Sequence, residues 1–66
     1  MEIQIGSRIR TIRDRQAMSQ ASLARLADIS PSHMCEIEHG SLPSVVILVR
    51  LARALSVTLN DLVPIQ

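Results

Sequence analysis

Apolar residues recur along this chain at helical intervals, and nowhere in the strict alternation of a strand. Ile5, Ile9 and Ile12, spaced four and then three apart, form one face of a helix predicted over Ile5 to Gln16. Leu23, Ala24 and Ala27 mark a second helix, Gln20 to Ala27, for which Ser19 is the N-cap. The acid that would complete a capping box is replaced by Ser22, which weakens that cap. Ala24 is small, as a residue must be where two helices cross steeply. Asp28-Ile29-Ser30 reads as a tight turn. Ser30 then caps a third helix whose first turn holds Pro31, where a missing N–H costs nothing. Met34 and Ile37 face inward on it, and Gly40 ends it with a left-handed residue.

After the short loop Ser41-Leu42-Pro43, a fourth helix starts at Ser44 and runs to about Leu55. Its inward stripe is expected to be Val45, Leu48, Leu51, Ala52 and Leu55. Ser56-Val57 breaks it, and Thr58 with Asp61 forms a capping box for a last short helix carrying Leu59 and Leu62 and closed by Pro64. The prediction is an all-α, five-helix single domain over residues 1–66, with a helix-turn-helix at about 20–39. It contains no internal repeat or low-complexity segment.

Composition narrows the function classes. The chain is 47% hydrophobic without one aromatic residue, so the core has to be built from Ile, Leu, Val, Ala and Met. Sixty-six residues are near the lower limit for folding on such a core alone. A single cysteine excludes an internal disulfide, and no apolar run approaches the roughly 20 residues that span a bilayer. A cytoplasmic, non-membrane protein is expected. The net charge is only +1, although all seven basic residues are Arg and four of them (Arg8, Arg10, Arg13, Arg15) fall in the first fifteen positions. Charge alone will not hold nucleic acid here, so affinity has to come from placement and from pairing two subunits.

The order and spacing of several short pieces resemble the helix-turn-helix of the phage Cro and repressor family, also called the XRE family. Those pieces are Ser19-Gln20, Leu23-Ala24, Met34 with Ile37-Glu38 and Gly40, Pro43-Ser44, and Ala52 to Leu55. The resemblance covers nearly the whole chain, about residues 5 to 63. The resemblance implies a compact lambda-repressor-like domain whose members control transcription as dimers on near-palindromic double-stranded DNA. It further implies that Gln20 contacts a phosphate, and that Ser30, Pro31, Ser32, His33, Cys35 and Glu36 meet the major groove. Arg13 and Glu38 stand where many members tie the first helix to the end of the third with an ion pair. Three departures stand out: Asp28 replaces a frequent turn glycine, the Gly40–Pro43 loop is one residue short and lacks basic residues, and Pro31 offers no side-chain hydrogen bond. Asp tolerates left-handed backbone better than most residues, so the turn is expected to survive.

Read as chemistry, these residues leave several pairs of roles open. Ser30 and Ser32 can donate or accept and therefore discriminate bases poorly. Glu36, when ionised, only accepts, which suits a cytosine amino group and repels phosphate; otherwise it is a solvated helix residue. Arg13 can clamp a phosphate or hold helices in register through Glu38. Arg10 and Arg8 are further phosphate candidates. Cys35 and His39, with His33 and Glu36 nearby, cannot surround a metal tetrahedrally from a single helix, so neither metal nor cofactor is expected. Cys35 is either a redox-sensitive thiol or a spectator. No nucleophile–base–acid set, glycine-rich phosphate loop or paired carboxylates indicate an enzyme.

The fourth helix carries more apolar residues than one stripe needs. Val46, Ile47 and Val49, with Leu42, Leu59, Val63 and Ile65, either widen the core or form an exposed patch for a partner. A symmetric homodimer through helices four and five, with Val46, Val49, Leu59 and Val63 at its interface, would set two recognition helices about 34 Å apart, one turn of DNA. The expected function is a DNA-binding transcriptional regulator, a repressor or autoregulatory controller acting as a homodimer. A restriction–modification controller and an antitoxin both suit the length. The competing class is a protein-interaction module in which the apolar fourth helix binds a protein partner.

Overall fold

The computed structural model describes residues 4–63. Five helices follow one another, α1 (Ile5–Arg15), α2 (Gln20–Leu26), α3 (Pro31–Glu38), α4 (Val45–Leu55) and α5 (Leu59–Leu62). No strand occurs among the described residues. The predicted ends of α1 and α2 each recede by one residue, with Gln16 and Ala27 serving as their C-caps. Pro64 and Ile65 lie outside the described residues.

Serine starts three of the helices. The hydroxyls of Ser19, Ser30 and Ser44 accept from the backbone N–H of Ser22, His33 and Ile47 at 3.0, 3.1 and 3.2 Å. Each satisfies one of the donors that a helix leaves open at its start, worth about 1 kcal/mol. At α5 the Asp61 carboxylate accepts from the Thr58 N–H at 3.0 Å, closing the expected capping box.

The first four helices end alike. The N–H of Met18, Ile29, Ser41 and Val57 reaches back to the carbonyl of Arg13, Ala24, Glu36 and Ala52 at 2.9 to 3.0 Å. This closure needs a positive φ at the residue before the donor. Gly40 supplies it without a side chain, at φ 117°. Ala17, Asp28 and Ser56 supply it at φ 54°, 58° and 58° against a steric penalty. Asp28 therefore makes the turn between α2 and α3 in place of a glycine, as its residue type allows.

The core is Ile9, Leu23, Met34, Ile37, Leu51, Leu55 and Leu62, all fully buried, with Ile5, Ala24, Ala27 and Ala52 around them. α2 packs against both α3 and α4, while α1 joins α3 to α5. The stripe of α4 departs from the prediction at its first turns. Val45 is 71% exposed, and Ile47 packs on the core instead of facing outward. Ile47, Leu51 and Leu55, spaced four residues apart, line up toward the neighbouring helices, and none of the described residues covers the edge of the first turn on which Val45 sits.

Two polar or small residues fix α1 in place. The Gln16 side chain donates to the Leu55 carbonyl at 2.7 Å, satisfying one of the open acceptors at the end of α4. Gly6 is buried against the last turn of α3, where a Cβ would overlap the Ile37 carbonyl oxygen and press on the Glu38 backbone. No helix among the described residues is long and apolar enough to cross a membrane.

Candidate nucleic-acid interface

Helix α3 has two unlike faces. Met34 and Ile37 are fully buried, while Pro31, Ser32, Cys35 and Glu36 are exposed and His33 is half-buried. An eight-residue helix is too short to hold itself in water, so its shape comes from the buried face and its two ends. At the start the Ser30 hydroxyl is occupied by the His33 N–H, and Pro31 fixes the first φ. Ser30 thus shapes the helix start as well as standing beside the outward row.

At the other end, three helices meet on one carboxylate. Glu38 accepts from Arg13 Nε at 2.8 Å through Oε2, and from Arg13 Nη2 at 3.1 Å and Gln20 Nε2 at 3.2 Å through Oε1. Arg13 Nη1 donates to the Met18 carbonyl at 2.8 Å, in the link between α1 and α2. The side chains of Arg13 and Glu38 are only 12% and 3% exposed, so this charge pair is withdrawn from solvent with its hydrogen bonds made. The forked guanidinium matches the carboxylate in a way that Lys could not. Hydrogen bonding to Glu38 pushes Arg13 further above its already alkaline value, so the cationic half stays charged at any pH the fold tolerates.

The consequence is positional. α1, α2 and α3 are locked at the point where the N-terminus of α2 meets the C-terminus of α3. Gln20, the first residue of α2, is half-buried, with one amide N–H given to Glu38 and a second left to donate. Nε, Nη1 and Nη2 of Arg13 all donate inward. Of the two roles open to Arg13, these three hydrogen bonds serve the structural one, and the second N–H of Nη1 and of Nη2 is not used by them.

A family profile described as a helix-turn-helix domain matches residues 4–63. The HTH-type transcriptional regulator RamB of Mycobacterium tuberculosis is 41% identical over 54 residues, 80% of this chain but 11% of RamB. This chain therefore spans about a tenth of the length of that relative. The restriction-modification controller protein C.AhdI from Aeromonas hydrophila superposes with a TM-score of 0.86 at 32% identity, over 89% of this chain and 91% of that one. The biofilm master regulator SinR, solved in complex with DNA, gives 0.83 at 30%, over 88% and 95%.

The chain belongs to the XRE family of helix-turn-helix regulators.

Within this XRE domain the remaining predicted residues separate. Arg10 is exposed on α1, four residues after Gly6 and three before Arg13, both of which touch the last turn of α3. Arg8 instead lines a groove with Val57 and Asp61 on the α5 side of α1. Cys35 is exposed, its Sγ 3.5 Å from His39 Nδ1, while that nitrogen also lies 2.8 Å from the Cys35 carbonyl. No group of three metal-ligating side chains occurs among the described residues.

The predicted partner patch is only partly of one kind. Val46 is 60% and Leu59 40% exposed, whereas Val49 and Val63 are half-buried and Val63 packs on the core. Leu42 at 74% joins Val45 and Val46 as the most exposed apolar run. Two residues that position the interface escaped the sequence reading. Gly6 had a signal, since a glycine inside a helix marks a close approach. Gln16 had none, because its partner is a backbone carbonyl 39 positions away.

Proposed function

We propose that the domain is a sequence-specific DNA-binding regulator of transcription, acting as a homodimer on a near-palindromic site and serving as a repressor or autoregulatory controller. The carrying observation is the outward row of α3, Ser32, Cys35 and Glu36, on a helix pinned from behind by Met34 and Ile37 and at its end by Glu38. A short helix held this rigidly, with small and polar side chains outward, suits the width of the major groove. Gln20 donates its free N–H to a phosphate beside the groove, and Arg10 gives a second backbone contact. Ser30, Pro31 and His33 line the entry of the helix, and Ser32 and Glu36 reach the base edges. SinR was solved in complex with DNA, and RamB is a transcriptional regulator, which supports this reading.

Dimerisation answers the weak charge. With a net charge of +1, one copy gains little from counterion release, and two copies double the contacts on one DNA segment. The exposed run Leu42, Val45 and Val46, with Leu59, supports a self-complementary apolar contact. Sedimentation that finds a monomer at micromolar concentration, with and without DNA, overturns the dimer.

The deciding experiment titrates the protein against its own upstream DNA and against random DNA at several salt concentrations. A specific site is expected to bind at least about a thousandfold more tightly than random sequence, with affinity falling as salt rises. Equal, weak binding to both would move the assignment to a protein-interaction module.

A further inference from the structure

Leu26 is the last residue of α2 and is 62% exposed, in a position that neither the core nor the α3 contact explains. It lies on the rim of a groove of about 390 Å³ between α2 and α4, lined by Leu26, Ala27, Asp28, Arg50, Arg53 and Ala54. The groove opens where the end of α2 meets α4, beside the turn that leads to α3 and at the opposite end of α2 from Gln20. Its chemistry is uneven. Leu26 and the half-buried Ala54 give it an apolar side, with Ala27 buried beneath them. Arg50 and Arg53 are both exposed, one turn apart on α4, with no carboxylate in ion-pairing range among the described residues. Arg25, also exposed, precedes Leu26 on α2.

On a chain whose net charge is +1, two unpaired guanidiniums beside one Asp28 carboxylate concentrate positive charge on this side. Guanidinium forks hold carboxylates, and their flat stems tolerate apolar neighbours.

We propose that this groove is a second interaction surface, separate from the α3 face, that docks an acidic amphipathic helix of a partner protein. Its aliphatic residues lie against Leu26, Ala27 and Ala54, and its carboxylates pair with Arg50 and Arg53. None of the lining residues belongs to the outward row of α3, so DNA and this partner can be held together. The surface does not depend on the DNA assignment, because its chemistry stands on α2 and α4 alone.

The test uses the full chain, isotope-labelled, and a synthetic helical peptide of about fifteen residues with Leu at i, i+3, i+4 and i+7 and Glu on the flanking positions. Amide shifts are expected to cluster at Leu26, Ala27, Arg50, Arg53 and Ala54. Binding is expected to weaken at least tenfold in Leu26→Ser and in the double variant Arg50→Glu/Arg53→Glu, and to be lost when Lys replaces Glu in the peptide. Both variants alter exposed side chains, and unchanged thermal melting confirms that they fold. No binding, equal binding of the Lys peptide, or shifts centred on Leu42, Val45 and Val46 overturn the proposal. Two other outcomes also overturn it: loss of DNA affinity in the Arg50→Glu/Arg53→Glu variant at unchanged oligomeric state, which makes the arginines phosphate contacts, and loss of self-association in Leu26→Ser, which makes the occupant a second copy.

Discussion

Arg13 and Glu38, 25 positions apart in sequence, face each other through two hydrogen bonds of 2.8 and 3.1 Å, with Glu38 almost wholly out of water. The pair joins the first helix to the end of the third. Removing the cation alone strands a buried carboxylate, so Arg13→Ala is expected to cost about 3–5 kcal/mol, a large share of the stability of a domain this small. Replacing both with Met restores apolar packing and is expected to recover most of that loss. Urea unfolding of the single and double variants measures it. Additive losses would show that the pair is screened and weak, contrary to its burial.

Gly6 makes the opposite kind of prediction. In an isolated helix, Gly→Ala stabilises by about 1 kcal/mol. Here the added methyl meets the Ile37 carbonyl and the Glu38 backbone, which cannot swing aside as a side chain would. Gly6→Ala is therefore expected to destabilise by about 1–3 kcal/mol, the usual range for overpacking. Because the displaced backbone carries Glu38, the change should also loosen Gln20. Thermal melting gives the sign, and a stabilised variant would mean that the last turn of α3 has room for a methyl group at Gly6.

How far the sequence could be read depends on the range of the interaction. Caps are local, so Ser19, Ser30, Ser44 and the Thr58–Asp61 box were legible from residue types three positions apart. The stripes of α1 to α3 were legible because each helix has a single buried face. The stripe of α4 was legible at Leu48, Leu51, Ala52 and Leu55 but not at its first turn, because VVILV is apolar all round and only the placement of its neighbours decides that Ile47 goes in and Val45 stays out. The Arg13–Glu38 pairing followed from family resemblance, since nothing in the spacing of two charges 25 residues apart brings them together. The share of Gln20 in the same carboxylate, the Gln16 bond to Leu55 and the groove beside Leu26 appear only in three dimensions.

Ala17 and Ser56 hold left-handed backbone, φ 54° and 58°, at the ends of α1 and α4. For a residue with a Cβ that conformation costs about 1–2 kcal/mol, partly offset because glycine loses more entropy on folding. Ala17→Gly and Ser56→Gly are each expected to stabilise by about 0.5–1 kcal/mol. In a domain of this size that raises Tm by a few degrees. The Gln16–Leu55 hydrogen bond joins the residues just before the two sites, so their effects are expected to couple, and the double variant measures by how much. A loss of stability at either site would show that the side chain makes a contact that outweighs its strain.

Glu36 offers the sharpest test of where α3 sits on DNA. If its carboxylate reads a base, Glu36→Gln removes a repulsion toward every phosphate and, at the same time, one source of discrimination. Random DNA should then bind more tightly, while the operator gains less or loses, and the specificity ratio falls by about 1–3 kcal/mol. If Glu36 is only solvated beside the groove, both affinities rise together and the ratio stays fixed. Ser32→Ala is expected to change preference at one position and leave the salt slope alone. Gln20→Ala is expected to weaken all sites alike and, because the amide carries no charge, to leave the salt slope unchanged as well. Because Gln20 also donates to Glu38, its variant is compared at equal folded fraction, which separates a lost phosphate contact from a loosened joint. A Gln20→Ala variant that binds every site as the parent does would place the DNA on another face of the domain.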